Sequence, residues 1–136
     1  MYDNPNRQKY SFAFDFGAAA DENFSIRGPK GKSGRVIDYG VEGVTEVFNG
    51  ASTTPKIAVG TTSDPDAYGD ELDLNGVADN DYKSVRSTYA ETSTGFSALM
   101  VNPEIPKDTE VYLTCTGAVG SPTGIGNAFV IIDWSL

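Results

Sequence analysis

The 136-residue chain contains no histidine, and its one cysteine is Cys115. The first absence removes Ser-His-Asp and Cys-His nucleophiles, imidazole metal ligands and the side chain best suited to proton transfer near neutral pH. The second excludes an intrachain disulfide and a thiolate zinc site. Cations are scarce as well: ten Lys and Arg stand against nineteen Asp and Glu, a formal charge of −9. That balance speaks against a nucleic-acid partner, because neutralising phosphates takes clustered cations. No run reaches the roughly 18 to 20 apolar residues of a membrane helix, so no membrane partner is expected. The opening "MYDNPNRQKY" also lacks the apolar stretch of a secretory signal.

Hydrophobic residues make up 39% of the chain and charged residues 21%, a globular composition that one domain of this length can fold around a core. The 15 Gly and 7 Pro stand between short apolar runs, which favours many turns and many strands. Residues 1–8 read as a polar, Pro-broken N-terminal arm, and 9–136 as the domain.

Within "KYSFAFDF" (9–16), Tyr10, Phe12, Phe14 and Phe16 alternate with Ser11, Ala13 and Asp15, as a half-buried strand requires. In "RVIDYGVEGVTEVF" (35–48), Ile37, Tyr39 and Val41 are in phase until Gly43, where the phase breaks and a bulge or bend is expected. Asn49-Gly50 is a turn signal ahead of the apolar "PKIAVGT". "SVRSTYA" and "FSALMV" read as two strands around the turn at 92–95, and Pro103 and Pro106 hold a loop over 102–110. "EVYLTCT" and "NAFVIIDW" read as a closing hairpin across the Gly-rich 117–126, with Cys115 pointing to the core beside Val111 and Leu113. The last strand is apolar on both faces, which suits a central position or a face covered by another subunit. Helix signals are thin: Asp64 capping Pro65 predicts at most one short turn. The expected fold is an all-β, single-domain sandwich of jelly-roll type.

Three constellations invite chemistry. Asp64, Asp66, Asp70, Glu71 and Asp73 fall within ten residues. An EF-hand started at Asp64 matches at Asp66 and Gly69, but it places Tyr68 at position five and Asn75 where a bidentate Glu is needed. A solvated loop is the favoured reading; an irregular calcium site on Asp64, Asp66 and Asp70 and a carboxylate-pair hydrolase on Asp64 and Asp66 are the alternatives. In "RGPKGKSGR" (27–35), Gly31-Lys32-Ser33 matches the end of a phosphate loop. The first glycine of that motif would fall on Ile26, however, and a strand rather than a helix follows. Four of the ten cations, Arg27, Lys30, Lys32 and Arg35, still sit in these nine positions, which fits either a hairpin tip or a contact for an acidic protein surface. The arm adds Tyr2, Asn4 and Arg7 as further candidate contacts.

"GRVIDYGVEGV", "PKIAVGTTSDPDAYGD" and "GSPTGIGNAFVIIDW" together make the chain resemble head decoration (cement) and head-fibre proteins of tailed bacteriophages, over about residues 34–135. The resemblance implies a β-sandwich on the capsid exterior, usually a homotrimer, that binds the major capsid protein and has no enzymatic activity or cofactor. A carbohydrate- or receptor-binding module is the alternative, with Tyr68, Tyr82 and Tyr89 as stacking candidates.

Overall fold

Alternation of apolar and polar residues drives nine strands, which a computed structural model describes over residues 6–17, 21–50, 54–116 and 123–135. The strands are β1 (Arg7–Asp15), β2 (Glu22–Arg27), β3 (Ser33–Asn49), β4 (Lys56–Gly60), β5 (Gly69–Asp73), β6 (Lys83–Ser84), β7 (Glu104–Ile105), β8 (Glu110–Thr116) and β9 (Thr123–Ser135). One antiparallel sheet runs β1-β9-β3-β6, with β7 added to β3, and the other runs β2-β8-β4-β5. With β7 set aside, this is the eight-strand order of a jelly roll, as expected from sequence.

The core lies between the two sheets. Phe14 of β1 and Phe16 just beyond it, Val36, Tyr39 and Val41 of β3, and Val130, Ile132 and Trp134 of β9 are buried from one side. Ile26, Ile57, Val59, Leu72, Val111, Leu113 and Cys115 are buried from the other. Each such side chain removed from water contributes on the order of 1.5–3 kcal/mol. Burial, and secondarily the nearby charge of Glu22, pushes the Cys115 thiol well above its ordinary value. Native protein is therefore expected to leave Cys115 untouched by a thiol-exchange reagent, with full reaction only in denaturant. A native-state rate close to the denatured one would place this thiol outside the core.

The structure corrects several local expectations. Ile37 does not share a face with Tyr39 and Val41: a bulge between Val36 and Asp38 makes it an extra residue, so Val36 holds the core position instead. The break at Gly43 is as expected, with φ +58° and a register shift between Glu42 and Glu46. β8 and β9 are not a hairpin, because β8 pairs with β2 and β4 while β9 pairs with β1 and β3. Residues 117–122 of the Gly-rich stretch lie outside the described residues. β9 does take a central place, with Lys9 Nζ 4.7 Å from the centre of the Phe129 ring on its other face.

The two strands expected at 84–101 are helices, α1 (Val85–Thr88) and α2 (Thr94–Leu99), one more than sequence predicted. Their serines decide it. Ser84 and Ser87 form a reciprocal capping box, and the Ser93 hydroxyl accepts from the Phe96 N–H at 3.1 Å. The buried carboxylate of Asp38 accepts from the N–H groups of Tyr39 and Arg86, anchoring α1 to β3. The Pro103–Pro106 loop contains β7, which pairs with Gly34 and Arg35 and buries Ile105.

Candidate functional site

The acidic stretch resolves into two parts. Asp64–Ala67 is a turn, closed by the Ala67 N–H donating to the Asp64 carbonyl at 3.1 Å. β5 follows directly, so this half is an edge strand rather than loop, with Leu72 in the core and Leu74 buried just beyond it. Glu71 and Asp73 point outward from it, and charges on an edge strand discourage pairing with another sheet. Asp70 accepts from the Glu71 N–H and Asp73 from the Asn75 N–H. Among the described residues no group of three or more carboxylates or thiols is placed to hold a metal. Asp66 and Glu71 line a depression of about 370 Å³ with Thr114 and Thr116, and Asp64 is not part of it. Of the three tyrosines, Tyr68 is buried, Tyr89 is half-buried, and only Tyr82 is exposed, at 62%.

The basic residues are brought together. Arg27 closes β2 opposite Glu110, Arg35 is the third residue of β3 and lies opposite Asp133, and Arg7 opens β1 opposite the same Asp133 from the other side. The turn 28–32, the start of β1 and the end of β9 therefore occupy one end of the sandwich. Lys32 Nζ donates to Asn6 Oδ1 at 3.1 Å, which links the turn to the residues leading from the arm. Arg7, Arg27, Lys30, Lys32 and Arg35 thus share this end, while Tyr2 and Asn4 lie outside the described residues.

The turn itself is shaped by Trp134, which sequence reading had not placed at the site. Its indole is 1% exposed and lies against Gly28 and Gly34; a Cβ on either glycine would come within 2.5 and 2.6 Å of the ring. Indole Nε1 donates to the Tyr10 hydroxyl at 2.8 Å, and Tyr10 donates on to Gln8 at 2.7 Å. The Trp134 backbone N–H donates to the Asn6 carbonyl at 2.9 Å. Above the ring is a cavity of about 230 Å³, lined by Arg27, Lys30, Lys32, Asp108, Thr109 and Trp134 among others. Asp108 has φ +58°, a left-handed conformation that Asp tolerates, and its Oδ1 accepts from the Gly31 N–H at 2.7 Å. The only local signal for Asp108 was the "KDT" turn composition, and nothing in the sequence ties residue 134 to residue 28.

The arginines at this end are each met by a carboxylate: Arg7 by Asp133, Arg27 by Glu110 and Arg35 by Glu104. The Tyr112 hydroxyl is the main reason the Glu110 carboxyl sits below its ordinary range; burial opposes it, and Ser25 and Arg27 assist. Arg27 therefore keeps an ionised partner into mild acid. Among the described residues neither Lys30 nor Lys32 has a carboxylate partner.

No family model, curated protein or solved structure matches the chain. Its class is therefore defined by its own geometry, an all-β jelly-roll domain that gathers five cations at one end, three of them paired with carboxylates.

Proposed function

We propose that this chain is a non-enzymatic virion structural protein that decorates and stabilises a phage capsid by binding the major capsid protein from outside, as a homotrimer. The observation that carries this reading is the convergence of five cations and the root of the N-terminal arm on one end of a chain with net charge −9. Three of the five are paired with the chain's own carboxylates, so the charge this end offers a partner is that of Lys30 and Lys32, which favours one orientation on an acidic surface. Repetition on a lattice turns a modest contact into firm attachment by avidity. The sequence resemblance to head decoration and head-fibre proteins points the same way.

The test is sedimentation with undecorated capsids in near-physiological salt. Full-length protein is expected to co-sediment. A chain lacking residues 1–5, which keeps Asn6 and all of β1, is expected to retain its circular dichroism spectrum and lose most capsid binding. Absence of co-sedimentation by the full chain would overturn the proposal, and unchanged binding by the truncated chain would remove the arm from it. A native mass of three chains would support the trimer, and any other mass would refute it.

A carbohydrate- or receptor-binding reading is favoured by one observation: Tyr82 is exposed over a depression of about 430 Å³ that it lines with Glu42, Asn80 and Asp81. A ring beside planar polar groups is a sugar-stacking arrangement. A glycan array with and without calcium decides it, and silence in both conditions would end it.

A further inference from the structure

We infer that the cavity over Trp134 receives carboxylate side chains from an acidic segment of the capsid partner, with Lys30 and Lys32 as the two receiving cations. This deepens the decoration reading and rests on it for the partner's identity, though not for its chemistry. At this end every arginine already has a carboxylate, whereas the two lysines lining the cavity have none among the described residues. The turn shows what it accepts: Asp108 already places a carboxylate oxygen on the Gly31 N–H at 2.7 Å.

Size narrows the ligand. A volume of about 230 Å³ lies below the roughly 300–1,000 Å³ of small-molecule and cofactor sites, and it suits an inserted side chain. Nucleic acid is disfavoured twice over. The chain is acidic overall, and Trp134 lies flat against glycines at 1% exposure, which leaves no open ring for a base to stack on. Of the chain's own acids, Asp108 lines the cavity with its Oδ1 held by the Gly31 N–H, and Asp133, Glu110 and Glu104 are each met by an arginine, so none of these is within ion-pair distance of Lys30 or Lys32. The carboxylates of β5 stand on the opposite edge of the sheet from β2, three inter-strand steps away. That is roughly 14 Å, beyond the ~8 Å Debye length of physiological salt.

Trp134 is the chain's single tryptophan and lines the cavity, so its fluorescence reports directly on occupancy. Titration of the full-length protein with a hexaglutamate peptide is expected to change that fluorescence saturably, with weakening as salt is added. The double variant Lys30→Gln/Lys32→Gln is expected to bind about fivefold or more weakly, as two partly exposed charge contacts allow. Lys9→Gln/Lys56→Gln, with the same change in net charge elsewhere, is expected to bind as the parent does.

No saturable response in the parent, equal loss in both double variants, or an equal response to inorganic phosphate or a single-stranded oligonucleotide would each overturn the carboxylate site. Capsid sedimentation separates the two readings. If the Lys30→Gln/Lys32→Gln chain co-sediments as well as the parent, the site falls and the decoration proposal stands. If the parent binds hexaglutamate but no capsid, the decoration proposal falls and the site stands.

Discussion

Replacing Trp134 by alanine is expected to lower the unfolding free energy by about 3–5 kcal/mol, the usual range for removing a large buried aromatic. Against a total stability of about 5–15 kcal/mol for a domain, that is a large fraction. The indole fills the space between Gly28 and Gly34, and its N–H reaches Tyr10. Its loss therefore leaves a cavity under the turn and removes the bond that the Tyr10 hydroxyl accepts, while its bond to Gln8 stays. Trp134→Phe keeps a ring and loses the donor, so it is expected to cost less. Gly28→Ala approaches the same contact from the other side, because a Cβ there overlaps the ring and must displace the turn. Urea unfolding followed by circular dichroism measures all three. A Trp134→Ala change below about 1 kcal/mol would fall outside the range for a large buried aromatic and show that the indole does not hold this end together.

The second large effect is at Tyr39, whose ring is fully buried in β3. Its hydroxyl donates to the Asp70 carbonyl at 2.6 Å and lies 3.3 Å from the Leu99 carbonyl, so one side chain ties β3 to the start of β5 and the end of α2. Tyr39→Ala is expected to cost about 3–5 kcal/mol. Tyr39→Phe is expected to cost about 1–3 kcal/mol, because the part-buried carbonyls lose their donor while the packing stays.

Tyr39 also carries a pH signature. Burial first, then the charges of Asp70, Asp38 and Asp66, raise the phenol far above its ordinary value near 10. The folded state therefore keeps the proton while the unfolded state loses it. The contribution is intact below pH 10 and is lost as pH rises from there toward the folded value. The slope for one such proton is about 1.4 kcal/mol per pH unit. Tyr39→Phe is expected to flatten the alkaline limb of the stability–pH curve by that amount. An identical limb in parent and variant would mean that the phenol ionises freely in the folded protein.

Much of the sheet structure was legible because a strand's two-residue period is written locally. Phe12, Phe14 and Phe16 face inward as their spacing required, as do Val111, Leu113 and Cys115. Gly43 marked a real bulge because only a break in that period fits the residues around it. The bulge at Ile37 left no such mark, since Ile37, Tyr39 and Val41 keep an unbroken two-residue period and the neighbouring Val36 is equally apolar. α1 and α2 were hidden because β-branched and aromatic residues mask short helices, whose capping depends on single serine hydroxyls. β5 was hidden by its acids, although Leu72 and Leu74 carry the inward period.

At the candidate site, sequence supplied the cations but not their setting. The crowding of Arg27, Lys30, Lys32 and Arg35 was plain on the page, and so was the polar arm ahead of β1. Trp134, Asp108 and Thr109 belong to the same cavity from more than 70 residues away, and no local pattern connects them.

The sequence by itself determined the strand-rich composition, the inward faces and the exclusion of histidine- and disulfide-based chemistry, because these follow from residue type and nearest-neighbour period. Only the tertiary structure decided which strands lie side by side. A strand's pattern names the face it buries but not the partner it pairs with, and β8 and β9, consecutive and both apolar, went to different sheets. That pairing brings β9 beside the start of β3 and the root of the arm. It turns a run of lysines and glycines into a cavity floored by an indole.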